Sequence, residues 1–474
     1  MTHSRPGVDS APRRSLTATL AAIVVVLLLL VAGPAGPAAA ADLPRNIIIM
    51  FADGAAPTQW DFGRYSSRVL RQQPFATTDV VFRQGVMGLL ATSPFDAYVT
   101  DSAAAASAMS TGSKVRNGAI SITPDGSSPR TVMEAAKAAG KRIGLVTTAT
   151  VFDATPAAFA LHTKSRRDSQ ALVDQLLVLE PDVLMGGGAE YFLPATAGGK
   201  RTDSRDVIAA FRAKGYPVAR NTAELAAVSA PKFLALFSDD DMDFEIERDP
   251  VKEPTTAEMA AAALKALAQS PSGFVLLVEN ENVDTAGHHN DAASLMRALW
   301  AFDDAVKIAL EFQRQHPDTL VIVTGDHETG GFSPTYALKD PGAASSRFYA
   351  GDDQLRMLER ITLSLSGVKD KLGKQPSGEV LDQLLAQHFP GFRLDADLRQ
   401  LILGGKSEER NFSYTPQNAL GRMVARQTGY YWGTSGHTPQ PVLVGAIGPG
   451  AELFRGYQDN TDFGRHLHQL IREK

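Results

Sequence analysis

Three apolar runs in this chain each end on a carboxylate. They are Ile47-Ile48-Ile49-Met50-Phe51-Ala52-Asp53-Gly54, Val275-Leu276-Leu277-Val278-Glu279 and Leu320-Val321-Ile322-Val323-Thr324-Gly325-Asp326-His327. Runs this short and this uniformly apolar read as strands buried on both faces, as in a parallel sheet covered by helices. In such sheets ligands sit just beyond the C-terminal ends of the strands. Three acids and a histidine delivered to that rim cannot stay there as unpaired charge, because burying it would cost several kcal/mol per group. A cluster of metal cations is the natural compensator. The pattern points to a metal-dependent enzyme.

The rest of the chain supplies the helices such a sheet needs. Thr131 to Ala139 reads as a helix closed by Gly140, with Arg142–Thr147 as the next strand. A helix from Thr256 to about Gln269 precedes the strand Phe274–Val278. Asp291 to about Gln315 carries Leu295, Leu299, Phe302, Val306 and Leu310 at helical steps and feeds the strand Leu320–Thr324. Helix then strand, repeated, predicts an α/β fold: a doubly wound, mostly parallel central sheet flanked by helices. From roughly 334 to 430 charge and Gly/Pro punctuation break the rhythm, with helix-like pieces at Leu355–Ser364 and Val380–His388. This stretch reads as a cap-like insertion or dimer arm before a last strand at Val442–Ile447, and a homodimer is left open.

The N-terminus reads as an address. Arg13 and Arg14 precede an apolar run over about 18–32, then Gly33-Pro34 and a small-residue tract ending at Ala41. That order predicts a signal peptide over 1–41, a mature domain over 42–474, and a periplasmic or secreted destination with no membrane attachment after cleavage. An uncleaved anchor is the alternative, although the run is slightly short for a spanning helix. Arg13-Arg14-Ser15-Leu16 weakly resembles a twin-arginine signal. A net charge of −5 gives no footprint for nucleic acid. The chain has no cysteine, so disulfides and thiolate ligands are excluded and metal binding falls to Asp, Glu and His.

Two further constellations carry chemistry. Val99-Thr100-Asp101-Ser102 leads into an alanine-rich helix, and a serine in a first helical turn faces unpaired N–H groups that favour anions. Ser102 is either a nucleophile or simply the helix cap. In Glu279-Asn280-Glu281-Asn282-Val283-Asp284-Thr285-Ala286-Gly287-His288-His289, Asp284 and His288 are four apart and would share one helical face, as ligands to one ion or as part of a solvated turn. Gly325-Asp326-His327 and Ser435-Gly436-His437 add O and N donors suited to zinc, while Glu279, Asp53 and a hydroxyl suit magnesium. His289, Glu281 and Asp291 read as hydrogen-bonding neighbours, and Asp239-Asp240-Asp241-Met242-Asp243 as a solvated acidic turn.

Taken together, these residues resemble the alkaline phosphatase family. The matching elements are Asp53-Gly54, Thr100-Asp101-Ser102-Ala103-Ala104, Asp153-Ala154-Thr155-Pro156, His162-Thr163-Lys164-Ser165-Arg166, Glu279 with Asp284 and His288, Gly325-Asp326-His327-Glu328-Thr329-Gly330-Gly331, and Gly436-His437-Thr438. The resemblance implies two zinc ions and one magnesium. Asp284, His288 and His437 would bind the first zinc; Asp326, His327, Asp53 and Ser102 the second; Asp53, Thr155 and Glu279 magnesium, with Asp153 reaching it through water. Ser102 would carry a phosphoserine intermediate and Arg166 would clamp the phosphate of a small monoester substrate, with Arg167 keeping a minor claim. A related phosphodiesterase or sulfatase, or a non-catalytic metal- or phosphate-binding protein, are the alternatives. Thr285 and Asn280 depart from the family pattern, which commonly has histidine or lysine at the first position and glycine at the second.

Overall fold

In the computed structural model, which describes residues 1–3 and 43–471 except 340, 341, 344 and 406–408, the three apolar runs lie side by side. The strands of the main sheet are β1 (Asn46–Ala52), β2 (Val86–Ala91), β3 (Arg142–Thr150), β4 (Val183–Gly187), β5 (Val218–Ala219), β6 (Phe233–Leu236), β7 (Phe274–Asn280), β8 (Thr319–Thr324), β9 (Val442–Ile447) and β10 (Gly456–Asp459). Their order is β10-β2-β9-β8-β1-β7-β3-β4-β6-β5. β1 is central, in parallel register with β7 on one side and β8 on the other, so Phe51 stands opposite both Glu279 and Thr324. That register brings the three carboxylate-bearing strand ends to one rim.

Every residue of β1, β7 and β8 is buried, because helices cover both faces. Alternation divides the contacts. Ile48 and Met50 join a cluster with Trp60 from helix α1 (Pro57–Ser66) and with Leu299 and Phe302 from a long helix over Ala292–Gln315. Ile47, Ile49 and Phe51 join Ala103, Ala106 and Met109 of helix α2 (Ser102–Thr111) and Phe159 of helix α3 (Ala154–Ala160). Phe51 meets Phe159 edge-on at 6.0 Å. Each such fully buried side chain contributes about 1.5–3 kcal/mol. The helix Thr256–Leu267 (α4) has a Thr255/Glu258 capping box, and α5 is Asn282–His289. The long helix Ala292–Gln315, α6, is capped by Asp291, which accepts from Ala293 N and Ser294 N.

Three details differ from the sequence reading. Val442–Ile447 is not the last strand: β10 follows it, a short polar segment (Gly-Tyr-Gln-Asp) with no apolar run to announce it. β9 is also antiparallel to both its neighbours, β8 and β2. Between 334 and 430, helices occupy Asp352–Glu359 and Leu365–Leu372, so Leu355–Ser364 is not one helix; Ser364 instead caps the second, accepting from Gly367 N. Pro334 pairs with Tyr430, so this stretch leaves and returns at one point. The span read as a signal peptide lies outside the described residues apart from 1–3. Among the described residues, no helix is long and apolar enough to cross a membrane.

Candidate active site

Asp53 directly follows β1, Glu279 is the penultimate residue of β7, and Asp326-His327 follow β8. All are buried. The turn after β1 needs Gly54: its φ is +73°, and a Cβ there would come within 2.8 Å of Asp284 Oδ1 and 2.9 Å of Thr329 Oγ1. Close approach at that turn is what lets α5, with Asp284 and His288, sit beside the strand ends.

Two donor groups result. Asp53, Asp326 and His327 present ligand atoms within 4.8 Å of one another. His327 Nε2 lies 3.2 Å from Asp326 Oδ2, 3.5 Å from Asp53 Oδ1 and 3.1 Å from Ser102 Oγ. Beside them, Asp284 Oδ2 is 3.1 Å from His288 Nε2, and His437 Nε2 is 3.2 Å from His288 Nε2 and 3.6 Å from Asp284 Oδ1. Proximity alone also groups Asp284 and His437 with His327. His288 is the better third member, because His327 already turns Nε2 to Asp53 and Asp326. Backbone carbonyls orient the two other rings: His288 Nδ1 lies 2.6 Å from Ser435 O and His437 Nδ1 2.8 Å from Thr100 O, which leaves both Nε2 atoms facing inward.

The electrostatics are those of a site built for cations. Burial, reinforced by Asp326, Asp284 and Glu279, holds the Asp53 carboxyl well above its ordinary range. Burial likewise lifts Asp326 to about 7 and Glu279 to about 8. Burial alone would raise Asp284 too, but the imidazoles of His288, His437 and His327 hold it well below the usual carboxylate range. Asp53 Oδ1, Asp326 Oδ2 and Glu279 Oε1 are buried and accept no hydrogen bond among the described residues. Unsatisfied anionic oxygens are costly, and hard or borderline divalent cations with O and N ligands fit this donor set. Thr155 Oγ1 stands 3.4 Å from Asp53 Oδ2, so the hydroxyl expected near magnesium is beside one expected ligand; Glu279 Oε2 accepts from Thr147 Oγ1 at 2.6 Å.

Ser102 is not the helix cap. Asp101 caps α2, accepting from Ala104 N at 2.9 Å, which leaves Ser102 free in the first turn with its hydroxyl against His327. Arg166 Nη2 donates to Asp153 Oδ1 at 3.0 Å, and Nη1 lies 3.6 Å from Asp101 Oδ2. One edge of its guanidinium is thereby fixed above the α2 N-terminus. Arg167 is exposed and has no such partner among the described residues.

Several neighbours were not legible in the sequence. Glu328 is buried and accepts from Gln59 Nε2 at 2.7 Å, Thr438 Oγ1 at 2.6 Å, and Gly331 N and Phe332 N at 3.0 Å, fastening the His327 loop to the His437 strand. Asn418, from the 334–430 stretch, donates to His288 O at 2.9 Å, and the Tyr414 ring lies 5.5 Å from His288. Asp241 is more than part of a solvated turn: it accepts from Thr150 N at 2.8 Å. The surrounding chain and Asp153 lift its carboxyl to about 6, while Arg166 pulls the other way. The Asp-rich run concealed it. Asp291 caps α6, His289 Nδ1 lies 3.0 Å from Ser366 Oγ, and Glu281 accepts from Thr285, so all three hydrogen-bond as expected.

Comparison with known proteins agrees with this geometry. Residues 44–472 match the family model for alkaline phosphatase. The chain is 30% identical to alkaline phosphatase 3 of Bacillus subtilis, covering 90% of this chain and 89% of that one. It is also 30% identical to the repressible alkaline phosphatase of Saccharomyces cerevisiae, over 90% of this chain and 81% of that protein. Among solved structures, Thermus thermophilus alkaline phosphatase superposes with a TM-score of 0.81 at 30% identity, over 92% of this chain and 94% of that one.

Proposed function

The chain belongs to the alkaline phosphatase family, metal-dependent enzymes that act on phosphate monoesters, and from that membership we propose that it works through a phosphoserine on Ser102 with two zinc ions and one magnesium. The observation that carries this reading is the position of Ser102: buried, uncommitted to capping, and 3.1 Å from His327 Nε2 at the anion-favouring end of α2. Asp284, His288 and His437 would hold one zinc. Asp53, Asp326, His327 and Ser102 would hold the other. Asp53, Thr155 and Glu279 would hold magnesium, with Asp153 reaching it through water. When bound, these cations would supply charge stabilisation for the attacking and leaving oxygens and favour loss of the Ser102 proton.

The chain's own residues do the rest. Ser102 Oγ attacks phosphorus, and the bond to the ester oxygen breaks as the new one forms. Arg166 clamps two phosphate oxygens through the N–H groups that Asp153 and Asp101 leave unused. Water then cleaves the phosphoserine, releasing phosphate and restoring the hydroxyl. Positioning and electrostatic stabilisation account for most of the acceleration in such transfers. The order of basic, apolar and small residues over 1–41 supports export to the periplasm or medium, and the 334–430 stretch is proposed to act as a cap over the His288 side.

The deciding experiment compares a phosphate monoester, a diester and a sulfate ester, using mature protein recovered outside the cytoplasm with its first residue near Asp42. The monoester is expected to turn over far faster than either alternative. Chelation is expected to remove activity, and zinc with magnesium to restore it better than either alone. Equal turnover of the diester or sulfate, or full activity after chelation, would sink the reading.

Thr285 sets a second test. Its hydroxyl donates to Glu281 Oε1 at 2.5 Å, so a cation introduced there meets a carboxylate before it meets phosphate. Thr285→Lys is expected to lower the phosphate inhibition constant by only about threefold, and Thr285→Lys with Glu281→Gln by about tenfold. A double variant no more sensitive to phosphate than wild type would show that Thr285 does not face the anion.

A further inference from the structure

Away from the strand ends, three guanidinium groups line one cavity of about 400 Å³: Arg71, Arg248 and Arg297, together with Trp300, Glu245 and Asp304. None of these residues belongs to the site above. Arg71 Nη2 donates to Asp304 at 2.8 and 3.0 Å, and its guanidinium stacks on the Trp300 ring at 5.6 Å. Its Nη1 is buried and meets no acceptor among the described residues. Arg248 Nε donates to Glu245 Oε2 at 2.8 Å. Arg297 hydrogen-bonds backbone carbonyls, of Ala293 and Glu359 at 2.9 Å and of Ile361 at 3.0 Å.

Cations outnumber carboxylates in the cavity lining itself. Three guanidinium groups line the cavity with two carboxylates; Lys307 reaches Asp304 at 2.8 Å and Asp303 at 3.2 Å, and Asp291 and Glu359 act on Arg297 from outside the lining. Burial pushes the Arg297 pKa down, yet a guanidinium cannot shed its proton in a protein and stays a cation there. A buried N–H without an acceptor costs about 1–3 kcal/mol, more on a charged group. An anion entering the cavity would offer acceptors to the guanidinium groups that line it.

We propose that this cavity is a second anion site that binds phosphate, free or carried on a small organic molecule. Guanidinium forks match tetrahedral oxyanions in the bidentate geometry that ammonium groups lack. A volume of about 400 Å³ exceeds that of a bare phosphate and falls in the range of small-molecule sites, leaving room for a substituent beside Trp300.

Equilibrium dialysis of the metal-loaded protein against radiolabelled inorganic phosphate, up to about 1 mM, tests the proposal. Two phosphates per chain are expected for the wild type. One site should weaken by about tenfold or more in Arg71→Gln and in Arg297→Gln, with monoester turnover unchanged. Phenylphosphonate, which this chemistry cannot cleave, should displace the second phosphate if esters are accepted; failure to do so would assign the site to the free ion. A single phosphate per wild-type chain overturns the proposal, as do two undiminished sites in both variants. If either variant does not fold, Arg248→Gln takes its place, and the wild-type stoichiometry decides by itself.

Discussion

Replacing Ser102 with alanine is expected to cut kcat for a phosphate monoester by about 10³-fold or more, a barrier increase of about 4 kcal/mol, and to abolish the acid-stable phosphoenzyme. The reason is local. Asp101 caps α2, so the substitution leaves the helix intact, and the proposed ligands Asp53, Asp326 and His327 are untouched. Metal content and melting temperature should stay near wild type while turnover collapses. Residual activity would reflect direct attack by water, a poorer nucleophile in this position. Acid quench with labelled substrate, alongside metal analysis, checks the claim. Serine-bound phosphate persisting in the variant would mean that another residue is the nucleophile.

The second large effect concerns the protein stripped of metal. In that form Asp326 and Glu279 are raised from ordinary values of 3.8 and 4.5 to about 7 and about 8 by burial, so the fold prefers them protonated. Stability from such groups is fully present below the ordinary values and lost as pH rises through the raised ones. His288 acts in the same direction. Burial opposes its charge, but Asp284 lifts it to about 9, so its contribution fades above 6.5. His327 and His437 are shifted down, chiefly by burial, and their opposing contribution is complete by pH 6.5. Between pH 6.5 and 9 the chelated protein should therefore lose several kcal/mol relative to the metal-loaded one. That corresponds to a fall in Tm of about 5 °C or more. Differential scanning calorimetry of both forms across pH measures the gap. Parallel curves would show that these carboxylates are not the ones neutralised by metal.

Much of this site can be read in the chain because its parts have local signatures. A buried parallel strand is an apolar run, and a carboxylate after it stands out, so Asp53, Glu279 and Asp326 are visible in the sequence by themselves. Asp284 and His288 share a helical face by spacing alone. Glu328 carries no such signal: its importance comes from four donors contributed by three separate segments, a tertiary fact. Asp241 is hidden by neighbours of its own kind. Tyr414 and Asn418 reach His288 from a stretch whose course the punctuation can mark but not trace. β10 escapes notice because it is a short polar edge strand with no apolar run, and β2, one place further in, because alternate residues along it are exposed or only partly buried. The antiparallel direction of β9 depends on the path of the chain, which periodicity does not encode.

The place of β9 also bears on the order in which the molecule can be put together. It lies between β2 and β8, and among the described residues no other strand joins β2 and β10 to the remaining sheet. A growing chain that has not yet reached residue 442 therefore holds an unfinished sheet, with β2 lacking its inner neighbour and β8 presenting an open edge. Pairing residues separated by more than 300 positions carries a large loop-closure cost, and such contacts form late. His437 arrives with that same last segment, paired to Glu328–Thr329 just before β9 begins. Closure of the sheet and completion of the Asp284–His288–His437 donor group thus fall at the same moment in folding. A chain that has assembled this donor group has, by that fact, finished its topology.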